Sequence, residues 1–167
     1  AAVIVSKEWL PDSLMQSIAT ENNLSETAFV KENSTDKFDI RWFSPLIEID
    51  FCGHATLAAA FVLFSQDSSI QELKFSSETV GELKVKKIKN GYIEMIFPNR
   101  CPEPVSQVPI ELLNGLSVKP EEVLINQQAY FVICSTEEDV YSVTVDVEEL
   151  KKLAPYDVVV TARSERY

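Results

Sequence analysis

Residues 50–64 read DFCGHATLAAAFVLF, a run in which Asp50 and His54 precede an almost unbroken apolar segment. Because residues 55–64 are apolar on every side of a helical projection, they predict a helix at 54–65 that is buried all round. His54 is the only histidine of the 167 residues, and it stands where this helix begins. The first N–H groups of a helix have no partner within it and carry partial positive charge. The stretch therefore predicts a place that holds an anion beside a side chain able to exchange a proton near neutral pH.

The segments around this helix predict an α+β fold. Asn90-Gly91 is a strong two-residue hairpin signal, and an apolar helix followed by paired strands predicts an antiparallel sheet curled around that helix. Four prolines within 98–109 predict a crossing between two lobes, with a first lobe at 1–98 and the crossing and part of a second lobe at 99–167. The remaining pattern predicts helices at 11–22, 109–115 and 147–153 and strands at 3–5, 25–30, 38–42, 70–77, 80–89, 92–97, 121–126, 129–134, 140–145 and 157–162.

Composition excludes several classes of function. The net charge is −11, from 15 basic and 26 acidic residues, which argues against binding to nucleic acid or to an anionic membrane surface. The longest apolar run, 55–64, is about half the length needed to span a bilayer. Three cysteines without a Cys-x-x-Cys spacing favour a reducing, cytoplasmic setting over a disulfide framework or a zinc site. The positions of the four glycines exclude a phosphate-binding glycine loop.

Four motifs carry a resemblance to a known family. Residues 50–58, DFCGHATLA, and residues 21–30, ENNLSETAFV, are similar in sequence, order and spacing to two motifs of the phenazine-biosynthesis PhzF-like isomerases, relatives of diaminopimelate epimerase. Residues 40–45 and 157–162, IRWFSP and DVVVTA, resemble two further segments of this family. The resemblance implies a diaminopimelate epimerase-like fold of two similar lobes, each with a sheet around a central helix. It also implies an active site between the lobes and a homodimer.

Members of this family usually run beyond the length of this chain. They begin with a strand and a Gly-Asn-Pro before the segment matched by residues 1–3. After the segment matched here they carry a Glu-Asp-Pro-x-Thr-Gly-Ser motif that supplies the other wall of the active site, and this motif is absent from residues 1–167. We therefore expect the chain to be a portion of a longer protein, with an incomplete second lobe.

The resemblance implies roles for individual residues. Glu26 matches the glutamate with which the family moves a proton between carbons of its substrate, a reaction that needs no cofactor and no metal. His54 matches a residue that contacts the substrate and assists the proton movement, and Asp50, four residues earlier, is a candidate to orient its ring. The residues expected to bind a small anionic carboxylate lie around the start of the helix: Ser25, Asp50, Gly53 and Ala55.

Alternatives to this function remain open. Related epimerases and racemases use two cysteines as acid and base, and Cys52 stands where the first would lie, at a helix N-terminus that would lower its thiol pKa. Neither Cys101 nor Cys134 fits the second place, because neither precedes a glycine or a polar helix start.

Another alternative is a non-catalytic binding protein on the same fold. The plainest role for His54 is then a helix cap. Arg41 could bind a carboxylate, although a solvated surface position is its plainer interpretation.

Overall fold

The structure, a computed structural model, describes residues 1–164. Its strands are β1 (Ala2–Ser6), β2 (Thr27–Ser34), β3 (Lys37–Phe43), β4 (Glu48–Ile49), β5 (Glu72–Ser77), β6 (Gly81–Lys87), β7 (Ile93–Ile96), β8 (Glu103–Pro104), β9 (Glu122–Ile125), β10 (Ala129–Cys134) and β11 (Asp157–Ala162). Its α-helices are α1 (Asp12–Asn22), α2 (Gly53–Gln66), α3 (Ile110–Gly115), α4 (Glu137–Ser142) and α5 (Val147–Leu150), and short 3₁₀ turns lie at Lys89–Gly91 and Lys151–Leu153. Two compact units result, Ala1–Pro98 and a second that begins at Asn99. None of the helices within residues 1–164 is long and apolar enough to cross a membrane.

The first unit is built on a seven-stranded sheet. Its strands follow the order β1-β2-β3-β5-β6-β7, with β4 paired to β3. The pairs β2/β3, β5/β6 and β6/β7 are antiparallel as predicted, whereas β1/β2 and β3/β5 are parallel, so the sheet is mixed and not purely antiparallel. The parallel pairs arise because α1 and α2 lie within the connections between their strands, and such a crossover returns the chain to the same end of the sheet.

The second unit contains a four-stranded sheet in the order β11-β10-β9-β8. The pairs β8/β9 and β9/β10 are antiparallel, and β10/β11 is parallel across the connection that holds α4 and α5. The unit has a small core of its own, which includes Leu112 of α3, Val123 and Val132 of the sheet, and Leu153.

Alternation along the strands gives the first unit a core on each face of its sheet. Ala28 and Val30 of β2 belong to the cluster that contains Ala59 of α2, whereas Phe29 between them packs with Met15 of α1. Successive strand residues point to opposite faces, so α1 and α2 cover opposite sides of the sheet. The predicted half-buried strand at 38–42 is confirmed, because the residues on the α2 side are buried: Phe38, Ile40 and Trp42.

The helix predicted at 54–65 forms as α2, but the prediction that it is buried on every side is wrong. One face is buried in the core and contains Ala55, Thr56, Ala59, Ala60, Leu63 and Phe64. On the other face, Leu57 is 38% exposed and Phe61 is 63% exposed. Apolar composition on all sides does not indicate which side is covered, and within the first unit the sheet covers only one.

Residues 140–145 do not form the predicted strand. Their three valines favour a strand, yet the segment begins inside α4 and continues as a loop in which Val145 forms an isolated bridge with Leu116. Thr136 and Asp139 start α4 with a capping box: the Thr136 hydroxyl accepts the Asp139 N–H at 3.2 Å, and the Asp139 carboxylate accepts the Thr136 N–H at 3.0 Å. These bonds satisfy two N–H groups at the start of the helix, and they outweigh the strand preference of the valines.

The hairpin predicted at Asn90-Gly91 is confirmed. The two residues have positive φ angles of 66° and 78°, and β6 and β7 pair antiparallel on either side. The loop has three residues, Lys89–Gly91, and not the two that were predicted, because Lys87 pairs with Ile93 and the Ile88 N–H donates to the Tyr92 carbonyl. A Cβ atom added at Gly91 would meet open space. Glycine is therefore favoured there by its backbone conformation and not by crowding.

Candidate active site

Glu26 and His54, which come from separate motifs, meet at the start of α2. Glu26 lies just before β2, and so outside the strand predicted at 25–30. Its carbonyl accepts a hydrogen bond from the Ala2 N–H at 3.1 Å, which fixes its backbone to β1. His54 lies in the first turn of α2, and its Nε2 atom is 2.8 Å from Glu26 Oε2. Because the two motifs match one active site of the resembling family, they predict that the Glu26 carboxylate lies close to the helix start, and the structure confirms this.

The two side chains differ in their exposure to solvent. Glu26 is 18% exposed, whereas His54 is 56% exposed. Their contact is at ion-pair distance but outside hydrogen-bond geometry, and Glu26 Oε2 is a buried atom with no hydrogen-bond donor among the described residues. Buried polar atoms are as a rule hydrogen-bonded. Glu26 Oε2 therefore keeps a free lone pair with which it can accept a proton.

Ser25 and Cys52 complete the surroundings of the imidazole. Ser25 Oγ is 3.4 Å from His54 Nε2, and Cys52 Sγ is 3.5 Å from Nδ1 and 3.9 Å from Nε2. Glu26, Cys52 and His54 also bring one potential metal-ligand atom each to within 4.8 Å of one another. The cluster can thus exchange protons, hydrogen-bond to a substrate or coordinate a cation.

The Cys52 thiol does not have the lowered pKa that a helix N-terminus predicts. Burial raises the pKa of the thiol to about 11, and the charge of Glu26 and a hydrogen bond to its side chain add to this rise. The N–H groups of Ala55 and His54 act in the opposite direction, but their effect on the pKa is smaller. The thiol is therefore protonated at neutral pH, and a neutral thiol is a poor base and nucleophile.

Thr56 and Trp42 anchor the start of α2 through buried hydrogen bonds. The Thr56 hydroxyl donates to the Cys52 carbonyl at 2.7 Å and accepts the Trp42 Nε1–H at 3.2 Å. These bonds tie the first turn of α2 to β3 and so fix where His54 stands. Sequence reasoning missed Thr56. The available signal is a threonine four residues after the helix cap, where its hydroxyl can bond to the i−4 carbonyl.

Gly53 and Ala55 lie on either side of His54 in the first turn of α2. Gly53 is half-buried, and a Cβ atom added there would lie 3.5 Å from the Phe97 ring, an ordinary contact distance. Packing within the unit therefore does not require glycine at this position. Ala55 is fully buried. Substrate binding by Ser25, Gly53 and Ala55 stays a prediction.

Asp50 does not orient His54. Its side chain is exposed, and no hydrogen bond or ion pair joins it to the imidazole among the described residues. A spacing of four residues brings two side chains together only within a helix, and α2 begins at Gly53 behind an extended Cys52. The Asp50 carbonyl instead accepts the Thr79 hydroxyl.

The Arg41 guanidinium is occupied by partners in its own unit. Its Nε and Nη2 atoms each bond to the Glu48 carboxylate at 2.6 Å, and its Nη1 atom bonds to Asp12 at 2.8 Å. These pairs make Arg41 a structural link between β3, β4 and α1. Because its guanidinium already pairs with Glu48 and Asp12, the structure does not support binding of a substrate carboxylate by Arg41.

Comparison with known proteins identifies relatives along the whole chain. The family model of the phenazine biosynthesis-like proteins, PhzC-PhzF, matches residues 1–166. A Pseudomonas aeruginosa protein named as an uncharacterized isomerase is 42% identical over 168 residues, which cover all of this chain and 63% of that protein. A crystal structure of a PhzF-family phenazine biosynthesis protein from Enterococcus faecalis is 40% identical with a TM-score of 0.78, over 98% of this chain and 62% of that one.

These comparisons also establish the fold. A structure described as a predicted epimerase from Pseudomonas aeruginosa has a TM-score of 0.67 at 19% identity, over 95% of this chain and 62% of that one, and this likeness shows the fold alone. Together with the Enterococcus structure it confirms the α+β, diaminopimelate epimerase-like fold. The chain spans less than two thirds of the length of these relatives. Because the family model matches almost every residue and relatives named as isomerases match throughout, the chain belongs to the PhzC-PhzF family of phenazine biosynthesis-like proteins.

Proposed function

We propose that the complete protein is a cofactor-independent isomerase that moves a proton between carbons of a small carboxylic acid. The observation that carries this proposal is Glu26 Oε2, a buried carboxylate oxygen without a hydrogen-bond donor, 2.8 Å from the imidazole of His54. A general base needs a free lone pair and a position within reach of a substrate proton. The isomerase names of the relatives agree with this chemistry.

In the proposed reaction Glu26 acts first as base and then as acid. Its Oε2 atom takes a proton from a substrate carbon, and the electron pair of the broken C–H bond delocalises over an adjacent double bond and carboxylate. The same carboxyl group then returns the proton to another carbon of the conjugated system. The reaction involves no net oxidation or reduction. Exclusion of water would keep the proton on the carboxyl group between the two steps.

His54 and the first turn of α2 hold the substrate in this proposal. The exposed imidazole contacts the substrate, and Ser25 Oγ, 3.4 Å from Nε2, hydrogen-bonds to one of the two. The N–H groups at Gly53 and Ala55 attract the substrate carboxylate through the partial positive charge of the helix start. Residues that lie outside this chain complete the site.

Substitution of Glu26 tests the proposal in the complete protein. A panel of small carboxylic acids with a C–H bond next to a carbon–carbon double bond is followed by NMR in deuterated water. Glu26→Gln keeps the shape of the side chain but removes the base, so kcat should fall about 100-fold or more. Glu21→Gln, in the same motif but exposed on α1, is the matched control and should keep wild-type turnover.

Cys52→Ala separates this proposal from a cysteine-dependent epimerase. The alanine variant loses a buried thiol that is protonated at neutral pH, so its turnover should fall far less than that of Glu26→Gln. A single shuttling carboxyl group can also return some of the original hydrogen to the product, whereas two opposed thiols exchange it for deuterium. Turnover that survives Glu26→Gln and disappears in Cys52→Ala would overturn the proposal and favour the epimerase.

The proposal includes a cytoplasmic homodimer. The described cysteines Cys52, Cys101 and Cys134 are free thiols, which supports a reducing compartment. The dimer rests on the family resemblance alone. Light scattering coupled to size-exclusion chromatography of the complete protein tests it, and a monomeric mass at micromolar concentration would contradict it.

A further inference from the structure

Three different metal-ligand side chains converge at the start of α2. Glu26 contributes a carboxylate, Cys52 a thiol and His54 an imidazole, and one donor atom of each lies within 4.8 Å of the other two. Glu26 Oε2 and Cys52 are buried, and His54 is exposed on the solvent side. The sequence predicts no such cluster, because the ligands come from two separate motifs and lack the Cys-x-x-Cys spacing of common zinc sites.

We propose that Glu26, Cys52 and His54 bind a zinc ion, with the fourth coordination position open toward solvent. Ligand atoms around tetrahedral zinc lie about 3.3–3.8 Å apart, given metal–ligand distances of about 2.0–2.3 Å. His54 Nε2 is 2.8 Å from Glu26 Oε2 and 3.9 Å from Cys52 Sγ, on either side of this range. A small shift of the exposed imidazole away from Glu26 and toward Cys52 brings both distances closer to this range.

The chemistry of the ligands selects zinc over magnesium or calcium. Thiolate and imidazole ligands suit zinc, whereas magnesium and calcium require oxygen ligands. Zinc displaces the proton of the Cys52 thiol, a Zn–S bond replaces the S–H bond, and the proton passes to solvent. The thiolate and the Glu26 carboxylate then neutralise the two charges of the ion. The buried Oε2 atom without a hydrogen-bond donor is a further indication that this oxygen can accept a ligand.

Bound zinc would inhibit the enzyme, and this consequence rests on the proposed function. The metal would occupy the lone pair of Glu26 Oε2 that the proposed base uses. It would also cover the exposed edge of His54 where the substrate is expected. Zinc should therefore act as a reversible inhibitor whose effect a chelator removes.

Cobalt serves as a spectroscopic probe of the site in the complete, metal-free protein. One equivalent of Co²⁺ should give a near-ultraviolet thiolate-to-cobalt charge-transfer band, and one equivalent of Zn²⁺ should abolish it. Cys52→Ser should lose this band. Glu26→Gln and His54→Asn should each weaken zinc binding by at least about tenfold, as measured by calorimetry. Loss of a residue that only hydrogen-bonds to a metal ligand already lowers metal affinity about tenfold, and loss of the ligand itself should cost at least as much. Cys101→Ser is the matched control, since this thiol is exposed and outside the cluster.

The outcomes separate this inference from the proposed function. Absence of the band in the wild-type protein, or its persistence in Cys52→Ser, overturns the zinc site and leaves the isomerase proposal unaffected. A band that depends on Cys52, together with zinc inhibition that a chelator reverses, supports both. Zinc whose binding depends on both Cys52 and Glu26 but leaves turnover unchanged overturns the inhibition and the role of Glu26 as the base.

Discussion

At the scale of single residues, the buried Cys52 thiol should react slowly with alkylating agents. Its pKa is raised to about 11, so only about a thousandth of the Cys52 side chains are thiolates at pH 8. The thiolate is the form that reacts. Burial also raises the pKa of Cys134, whereas Cys101 is exposed. Iodoacetamide at pH 8 should therefore modify Cys101 first. Peptide mass spectrometry over time measures the three rates.

The pH dependence of Cys52 labelling and a Cys101→Ser variant serve as controls for this experiment. Because the pKa of Cys52 is raised, its thiolate fraction grows about tenfold for each pH unit until the pH approaches 11. Its labelling rate should increase accordingly. Cys101→Ser should leave the folded protein almost unlabelled at pH 8, and urea should expose the other two thiols. Modification of Cys52 at pH 8 as fast as that of Cys101 would contradict its burial and its raised pKa.

The sequence predicts which residues are candidates for the site better than it predicts their surroundings. The closeness of Glu26 and His54 followed from two motifs of one resemblance, and the structure confirms it. The predicted role of Asp50 in orienting His54 was wrong, because a spacing of four residues brings two side chains together only within a helix and Asp50 lies before α2. The raised pKa of Cys52 could not be predicted, since it depends on burial by the whole unit and on the charge of Glu26.

At the scale of elements, the start of α2 should depend on the Thr56 hydroxyl. Thr56→Val keeps the shape of the side chain but leaves the buried Trp42 Nε1–H without its acceptor. An unsatisfied buried donor costs about 1–3 kcal/mol of unfolding free energy. Thr56→Ser keeps the hydroxyl and removes one methyl group, so this variant should lose less unfolding free energy, about 1 kcal/mol. Urea unfolding measures both, and a valine variant as stable as the wild type would show that the bond contributes nothing.

The capping box of α4 gives a second prediction at this scale. Thr136→Ala removes the hydroxyl that accepts the Asp139 N–H, so the second unit should lose about 1 kcal/mol of unfolding free energy. The exposed Thr144, whose hydroxyl makes no hydrogen bond among the described residues, is the matched control. Urea unfolding followed by circular dichroism measures both variants. Equal losses in Thr136→Ala and Thr144→Ala would refute a specific role for the cap.

Elements were predictable where one local signal dominates. A hairpin at Asn90-Gly91 and the alternating strand at 38–42 formed as predicted, because turn chemistry and two-residue periodicity act within a few residues. The predicted strand at 140–145 was wrong because the strand preference of its valines competes there with a capping box that starts a helix. The partial exposure of α2 could not be predicted, since the placement of a covering sheet depends on long-range pairing.

At the scale of the whole molecule, the first unit has what a domain needs to fold by itself. Its mixed sheet carries α1 on one face and α2 on the other, and each face buries its own apolar cluster. A length of 98 residues lies within the range of independently folding domains. Both tryptophans, Trp9 and Trp42, lie in this unit, and Trp42 is buried against α2. Tryptophan fluorescence therefore reports on the core of this unit alone.

We expect a fragment of residues 1–98 to fold cooperatively, because every residue of its two apolar clusters lies within it. Urea should unfold it in a single transition, with Trp42 fluorescence and far-ultraviolet circular dichroism giving the same midpoint. Trp42→Phe should remove most of the fluorescence change without removing the transition seen by circular dichroism. The fragment also contains Glu26, Cys52 and His54, so it should retain their local geometry. A gradual unfolding curve would show instead that this core requires chain outside residues 1–98.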